Sequence, residues 1–177
     1  MSQLTWFQRV YWTRFSKPLS ERELVRHIIT TPITSVLEVG VGDGSRLKRI
    51  AQLVQLAAGV ERLRYVGVDE FEAAKDGLHH LTLKTAHQLA AQLSIKAILI
   101  PGDLKSAIQR VAHKIGTSDL IIVDGGLDPA QPDAGPIATW LNHIAHDNTA
   151  IFACANRGER FERVAHHANA KTQRVAA

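Results

Sequence analysis

The apolar positions of this chain change period several times, and the changes mark out alternating helices and strands. In residues 1–17, Trp6, Phe7, Val10, Tyr11, Trp12 and Phe15 recur three to five positions apart, opposite Gln8, Arg9, Thr13 and Arg14, which predicts an amphipathic helix. A second helix is predicted over residues 20–30. Leu24, Val25, Ile28 and Ile29 form its buried face, Ser20 and Glu23 stand at capping-box spacing, and Thr31-Pro32 stops it. Residues 36–39, 64–69, 96–100, 119–123 and 149–155 are short apolar runs rich in Val and Ile, as expected of buried parallel strands. Between them lie helical patterns. Residues 46–57 carry Leu47, Ile50, Leu53, Val54 and Ala57 on one face, and residues 77–93 carry Leu78, Leu81, Ala86, Leu89, Ala90 and Leu93. Helices are also predicted over 104–115 and 137–146, with a proline-rich loop over 127–136. A basic helix over 157–170 and a scrap of strand at 172–175 follow. This βα alternation predicts an α/β, doubly wound, mostly parallel sheet of spatial order 3-2-1-4-5 with helices on both faces.

The junction between the first strand and its helix carries the candidate chemistry. Gly40, Gly42 and Gly44 fall at alternate positions, so the backbone can turn with positive φ and approach a ligand closely. Strand, glycine turn and helix together aim free N–H groups and the positive end of a helix dipole at a polar or anionic group, which points to a nucleotide-like cofactor. The dinucleotide fingerprint G-x-G-x-x-G would place its third glycine at position 45, where this chain has Ser45, so the match to NAD is imperfect. At the tip of the second strand, Asp69 stands where α/β nucleotide sites put a carboxylate on ribose hydroxyls. Glu70 and Glu72 are alternatives beside it, and the same carboxylate would serve NAD.

With 177 residues, the chain has the length of one domain, divided into an aromatic segment (1–17), a cofactor-binding core (18–155) and a basic tail (156–177). No apolar run approaches the roughly 18 residues of a membrane span, and no export leader is legible, so the expectation is a cytoplasmic protein without membrane association. Its one cysteine, Cys154, excludes an intrachain disulfide and a cysteine-rich metal site. The net charge of +4 is dispersed. Its local excesses, at Arg46, Lys48 and Arg49 and at Arg157, Arg160, Arg163, Lys171 and Arg174, read as solvated helix faces rather than a nucleic-acid surface. His79, His80 and His87 lack the H-E-x-x-H pattern of a metal site. The N-terminal aromatics fit a lid over the pocket, a contact between copies in a homo-oligomer, or a helix packed on the sheet.

Glu38, Gly40, Gly42 and Gly44 read E-x-G-x-G-x-G, which resembles motif I of the class I S-adenosylmethionine-dependent methyltransferases. That resemblance implies that Glu38 and the glycine loop, Asp43 included, hold the methionine portion and ribose of S-adenosylmethionine. Asp69, with Glu70 beside it, would meet the ribose hydroxyls. It further implies that Asp103 meets the adenine amino group while the backbone at Leu104 closes on the ring. The segment SDLIIVDG resembles the family's fourth strand and places Asp124 beside the methyl-donor end. There Asp124 is the catalytic candidate, able to accept from the cofactor's amino group, position a substrate hydroxyl or take its proton. In catechol-type O-methyltransferases an Asp-Asn pair after strand five helps hold a divalent metal. This chain reads Ala153-Cys154-Ala155-Asn156 there, so no metal is implied. The resemblance implies a Rossmann-like methyltransferase core lacking most or all of strands six and seven. The activity implied is O- or N-methylation of a small molecule, with no asparagine-proline-proline-aromatic signature of an amino-methylating nucleic-acid enzyme. The alternatives are a catalytically silent cofactor-binding subunit acting in an oligomer, and an NAD(P)-dependent oxidoreductase.

Overall fold

The computed structural model describes residues 5, 10–12, 14, 17–59, 62–75 and 80–165. Residues 10–12 and 14 are helical and residues 5 and 17 are not, while the other positions of the helix expected over 1–17 lie outside the described residues, as does the strand expected at 172–175. Among the described residues six strands form one sheet: β1 (Ser35–Val39), β2 (Arg64–Asp69), β3 (Lys96–Pro101), β4 (Leu120–Asp124), β5 (Ala150–Cys154) and β6 (Glu162–Val164). The spatial order is β3-β2-β1-β4-β5-β6, with the first five strands parallel and β6 antiparallel to β5. The expected 3-2-1-4-5 core is therefore present, and its order reverses between β1 and β4.

Besides the helical residues 10–12 and 14, five α-helices among the described residues cover the two faces: α1 (Arg22–Thr30), α2 (Ser45–Ala58), α3 (Leu83–Gln92), α4 (Leu104–Lys114) and α5 (Ala138–Ile144). Alternation along the strands sorts the core. Val36, Tyr65, Leu120, Ile122 and Phe152 pack with α1, α2 and α3, whereas Leu37, Val39, Val66, Ile121 and Val123 pack with α4 and α5. Because both faces are buried over β1, β2, β4 and β5, those strands read as near-continuous apolar runs. At the base of the sheet Asp119 Oδ2 accepts hydrogen bonds from the Thr34 N–H (2.8 Å), the Thr34 hydroxyl (2.8 Å) and the Ser35 N–H (2.9 Å), tying the entry of β4 to that of β1.

Three expectations change. The basic helix over 157–170 does not form in its described part, where a turn leads into β6 instead. Gly158 has φ +83°, and Phe161, 1% exposed, is pulled inward while its N–H donates to Ser20 O at 2.9 Å. β6 covers the β5 edge by antiparallel pairing, Ile151 opposite Val164 and Ala153 opposite Glu162. The Ser20–Glu23 capping box is also absent. A short 3-10 turn (Leu19–Glu21) precedes α1, and Glu23 pairs with Arg160 at 2.5 Å. In its described part the helix expected over 77–93 begins at Leu83, where the Thr82 hydroxyl caps it by accepting from the Thr85 N–H at 3.1 Å, and residues 77–79 lie outside the described residues.

Candidate functional site

The carboxyl ends of β1, β2 and β4 open onto a cavity of about 190 Å³ whose wall includes Gly40, Asp69, Glu70, Leu104, Asp124 and Arg157. Open α/β sheets bind ligands at this reversal of strand order. Gly40 is required there. Its φ is +86°, and a Cβ would lie 3.0 Å from Asp124 Cβ and 3.1 Å from Asp124 O, so a side chain would push β1 and β4 apart at their tips.

Asp69 holds the glycine loop in shape. Its Oδ2 accepts from the Gly42 N–H at 2.8 Å, Oδ1 accepts from the Phe71 N–H at 3.2 Å, and His80 Nδ1 lies 3.3 Å away. Its side chain is only 1% exposed. Glu70, one residue on, is exposed and lines the same cavity. Two acidic groups thus stand at the β2 tip, one turned into the loop and one facing the opening.

Glu38 does not reach the cavity. It faces the α1 and α2 side of β1 in place of an apolar residue, is fully buried, and accepts from Arg46 Nε at 2.6 Å and from the Tyr65 hydroxyl. Burial pushes its carboxyl above the usual range, against the opposing pull of Arg46. Arg46 is the hub of this layer. It donates to Gly40 O (2.6 Å) and Asp124 Oδ2 (2.9 Å), and its guanidinium lies 4.9 Å from the centre of the Phe161 ring. Burial opposes its charge, but Glu38 and Asp124 outweigh that and hold the guanidinium protonated well above its ordinary range. The solvated basic face expected at Arg46, Lys48 and Arg49 is corrected accordingly. Arg46 is buried and Arg49 binds Glu21 at 2.8 Å, leaving Lys48 exposed.

Asp124 is surrounded by donors. Besides Arg46, it receives the Gly158 N–H at 3.0 Å and the Cys154 thiol at 3.3 Å. Burial, with the nearby Asp124 charge, pushes that thiol up to about 12, so Cys154 stays protonated. Beyond Asp124 a second cavity of about 290 Å³ runs beneath the loop past Gly42, Asp43, Arg46 and Phe161. Gly44 is the αL residue before α2 and packs against Leu81 and Leu89, where a Cβ would stand 2.5 Å from Leu81 Cδ1. Asp103 caps α4, accepting from the Ser106 N–H (3.1 Å) and hydroxyl (2.6 Å), and it fixes the backbone at Leu104 rather than lining the cavity.

Sequence reasoning missed Arg157. It follows β5 in the turn before β6 and reaches across the opening, with Nη1 3.2 Å from His80 Nε2 and Nη2 3.9 Å from Asp69 Oδ2. Only the absence of an apolar helical stripe after Ala155 could have signalled a turn there. Among the described residues no group of three or more His, Cys, Asp and Glu side chains could hold a metal ion, and no helix is long and apolar enough to cross a membrane.

No protein-family model matches the chain, and a search of curated proteins finds no match. Solved structures do match. One is the O-methyltransferase TomG from Streptomyces achromogenes, involved in tomaymycin synthesis and in complex with SAM. It is 13% identical with a TM-score of 0.53, over 80% of this chain and 56% of that one. Another, from Plasmodium falciparum, is described as a protein-L-isoaspartate O-methyltransferase in complex with S-adenosyl-L-homocysteine. It is 13% identical with a TM-score of 0.52, over 84% of this chain and 69% of that one. The chain thus spans little more than half the length of TomG. These likenesses show the fold, a Rossmann-like core of the class I methyltransferase type.

Proposed function

We propose that the chain binds S-adenosylmethionine in the crevice at the tips of β1, β2 and β4 and transfers its methyl group to an oxygen or nitrogen of a small molecule. The observation that carries this reading is the meeting of Gly40 and Asp124 at the reversal of strand order, with the β2 carboxylates and Leu104 around the same cavity. The residues suit such a ligand: a glycine turn that no Cβ obstructs, an exposed carboxylate for hydroxyl groups, and an apolar side chain for a ring.

In this reading Glu70 accepts from the ribose hydroxyls, while Asp69 positions the loop through the Gly42 N–H. The Leu104 backbone, set by the Asp103 cap, borders the adenine, and Gly40, Gly42 and Asp43 border the amino-acid arm. Glu38 acts from below, by holding Arg46. The bound cofactor supplies an already activated methyl group on a sulfonium, so this chain's task is alignment and exclusion of water. The donors around Asp124 favour a positioning role: its oxygens face Arg46, Gly158 and Cys154, and a proton from substrate would have to displace one of them. That same engagement is what favours the second reading, a silent cofactor-binding subunit.

Methyl transfer from isotopically labelled S-adenosylmethionine to a panel of small phenols, carboxylic acids and amines tests the proposal. Turnover on one acceptor class is expected. Tight cofactor binding with no transfer to any of them would support the silent subunit instead.

A further inference from the structure

Away from the crevice, a cavity of about 720 Å³ opens beside the first turn of α1. Among the described residues four arginines, Arg14, Arg22, Arg26 and Arg160, share its wall with a single carboxylate, Glu23. Like charges gathered around one hollow repel each other, and a fold without use for them would spread them over the surface. Several arginines elsewhere are matched within the chain: Arg46 to Glu38 and Asp124, Arg49 to Glu21, Arg110 to Pro101 O. In the cavity the matching is incomplete. Glu23 reaches Arg160 at 2.5 Å, but both side chains are largely exposed, at 46% and 66%, so this contact is weak and exchangeable. The Nε of Arg22 is buried with no hydrogen-bond partner among the described residues. A buried donor of this kind calls for an acceptor from outside the chain.

We propose that this cavity is a binding site for a phosphate-bearing small molecule. Guanidinium groups approach phosphate oxygens in paired, charge-assisted hydrogen bonds, and a phosphate offers three terminal oxygens to donors converging from different sides, where a carboxylate offers two. The positive end of α1, whose N-cap residue makes no side-chain cap, lies on the same wall and adds to the potential. The volume exceeds that of a bare phosphate and falls in the range of small-molecule sites. Among the described residues no aromatic side chain lines the cavity to stack a base, which disfavours a single-stranded nucleic acid.

The test is calorimetric titration of the whole chain with pyrophosphate and with inorganic phosphate at low and moderate salt, on the wild type and on Arg22→Gln, Arg26→Gln and Arg160→Gln. Thermal midpoints serve as the control for folding. The proposal expects saturable one-to-one binding, tighter for pyrophosphate and weakened by salt. Arg22→Gln and Arg26→Gln should each lower the affinity by about tenfold or more at unchanged thermal midpoint, with Arg160→Gln lowering it less. Absence of saturable binding, or affinities that the three folded variants leave unchanged, would overturn it. So would tight binding of a single-stranded RNA that pyrophosphate fails to displace, which would assign the surface to nucleic acid.

Discussion

The Arg46 guanidinium donates to Asp124 Oδ2 at 2.9 Å while its Nε holds the fully buried Glu38 at 2.6 Å, so one side chain joins the tip of β4 to the middle of β1 beneath the glycine loop. Removing one partner of a buried pair leaves the other charge uncompensated, at a cost of about 3–5 kcal/mol. Arg46→Met is expected to lower stability by about that much in urea denaturation. Adding Glu38→Gln should recover part of the loss, because the stranded carboxylate is then gone. Strictly additive effects would show that the two side chains are not coupled.

Glu70 and Asp69 are neighbours with different expected roles. Glu70→Ala should weaken binding of S-adenosylhomocysteine by roughly one to two decades, the value of about 1.5–3 kcal/mol for a hydrogen bond to a charged group, with little change in thermal midpoint. Asp69→Asn should lower both affinity and midpoint, because it loosens the Gly42 and Phe71 contacts. Calorimetry and thermal unfolding on the same samples check this. A Glu70 variant that binds normally would return the ribose role to Asp69.

Gly40 tests the close approach at the strand tips. Gly40→Ala places a Cβ 3.0 Å from Asp124 Cβ at a φ of +86°, and strain of this kind costs of order 1–3 kcal/mol. A lower thermal midpoint and loss of S-adenosylhomocysteine binding are expected. A variant with unchanged midpoint and affinity would mean that β1 and β4 do not meet this closely.

Asp119 sets an acid limb of stability. Burial works to raise its carboxyl, but the hydrogen bonds from Thr34, Ser35 and His146 outweigh it and hold the value down to about 2. The unfolded value is about 3.9. A depressed folded value means that the contribution is present above about pH 4 and is lost as pH falls toward 2. Asp119→Asn should therefore be less stable at pH 7, by about 1 kcal/mol once solvent screening of this half-buried group is allowed for, and should lose less on acidification. Parallel stability curves for the two proteins between pH 5 and pH 2 would rule the clamp out.

What the sequence made legible was whatever follows from local period and punctuation. Gly40, Asp69 and Asp124 could be placed at strand tips because each ends a short apolar run, and parallel order then brings the tips to one edge of the sheet. Glu38 could not be read in the same way. Its partners, Arg46 and Tyr65, come from α2 and β2, and only the fold shows that all three lie in one layer. The turn after β5 was hidden because Arg157, Glu159, Arg160, Glu162 and Arg163 mimic the charge spacing of a helix, whereas burial of Phe161 and Val164 decides the matter for a strand. The arginine cavity was invisible for a related reason: Arg14, Arg22, Arg26 and Arg160 are scattered in sequence and come together only in the fold, where the turn before β6 meets the turn leading into α1 through the Phe161 N–H and Ser20 O.

The most direct test of the central claim is a calorimetric titration of the whole chain with S-adenosylhomocysteine and, separately, with NADH. Saturable binding of S-adenosylhomocysteine at one site per chain, weakened by Glu70→Ala, with no saturable uptake of NADH, is the predicted result. Saturable binding of NADH with none of S-adenosylhomocysteine would contradict the account.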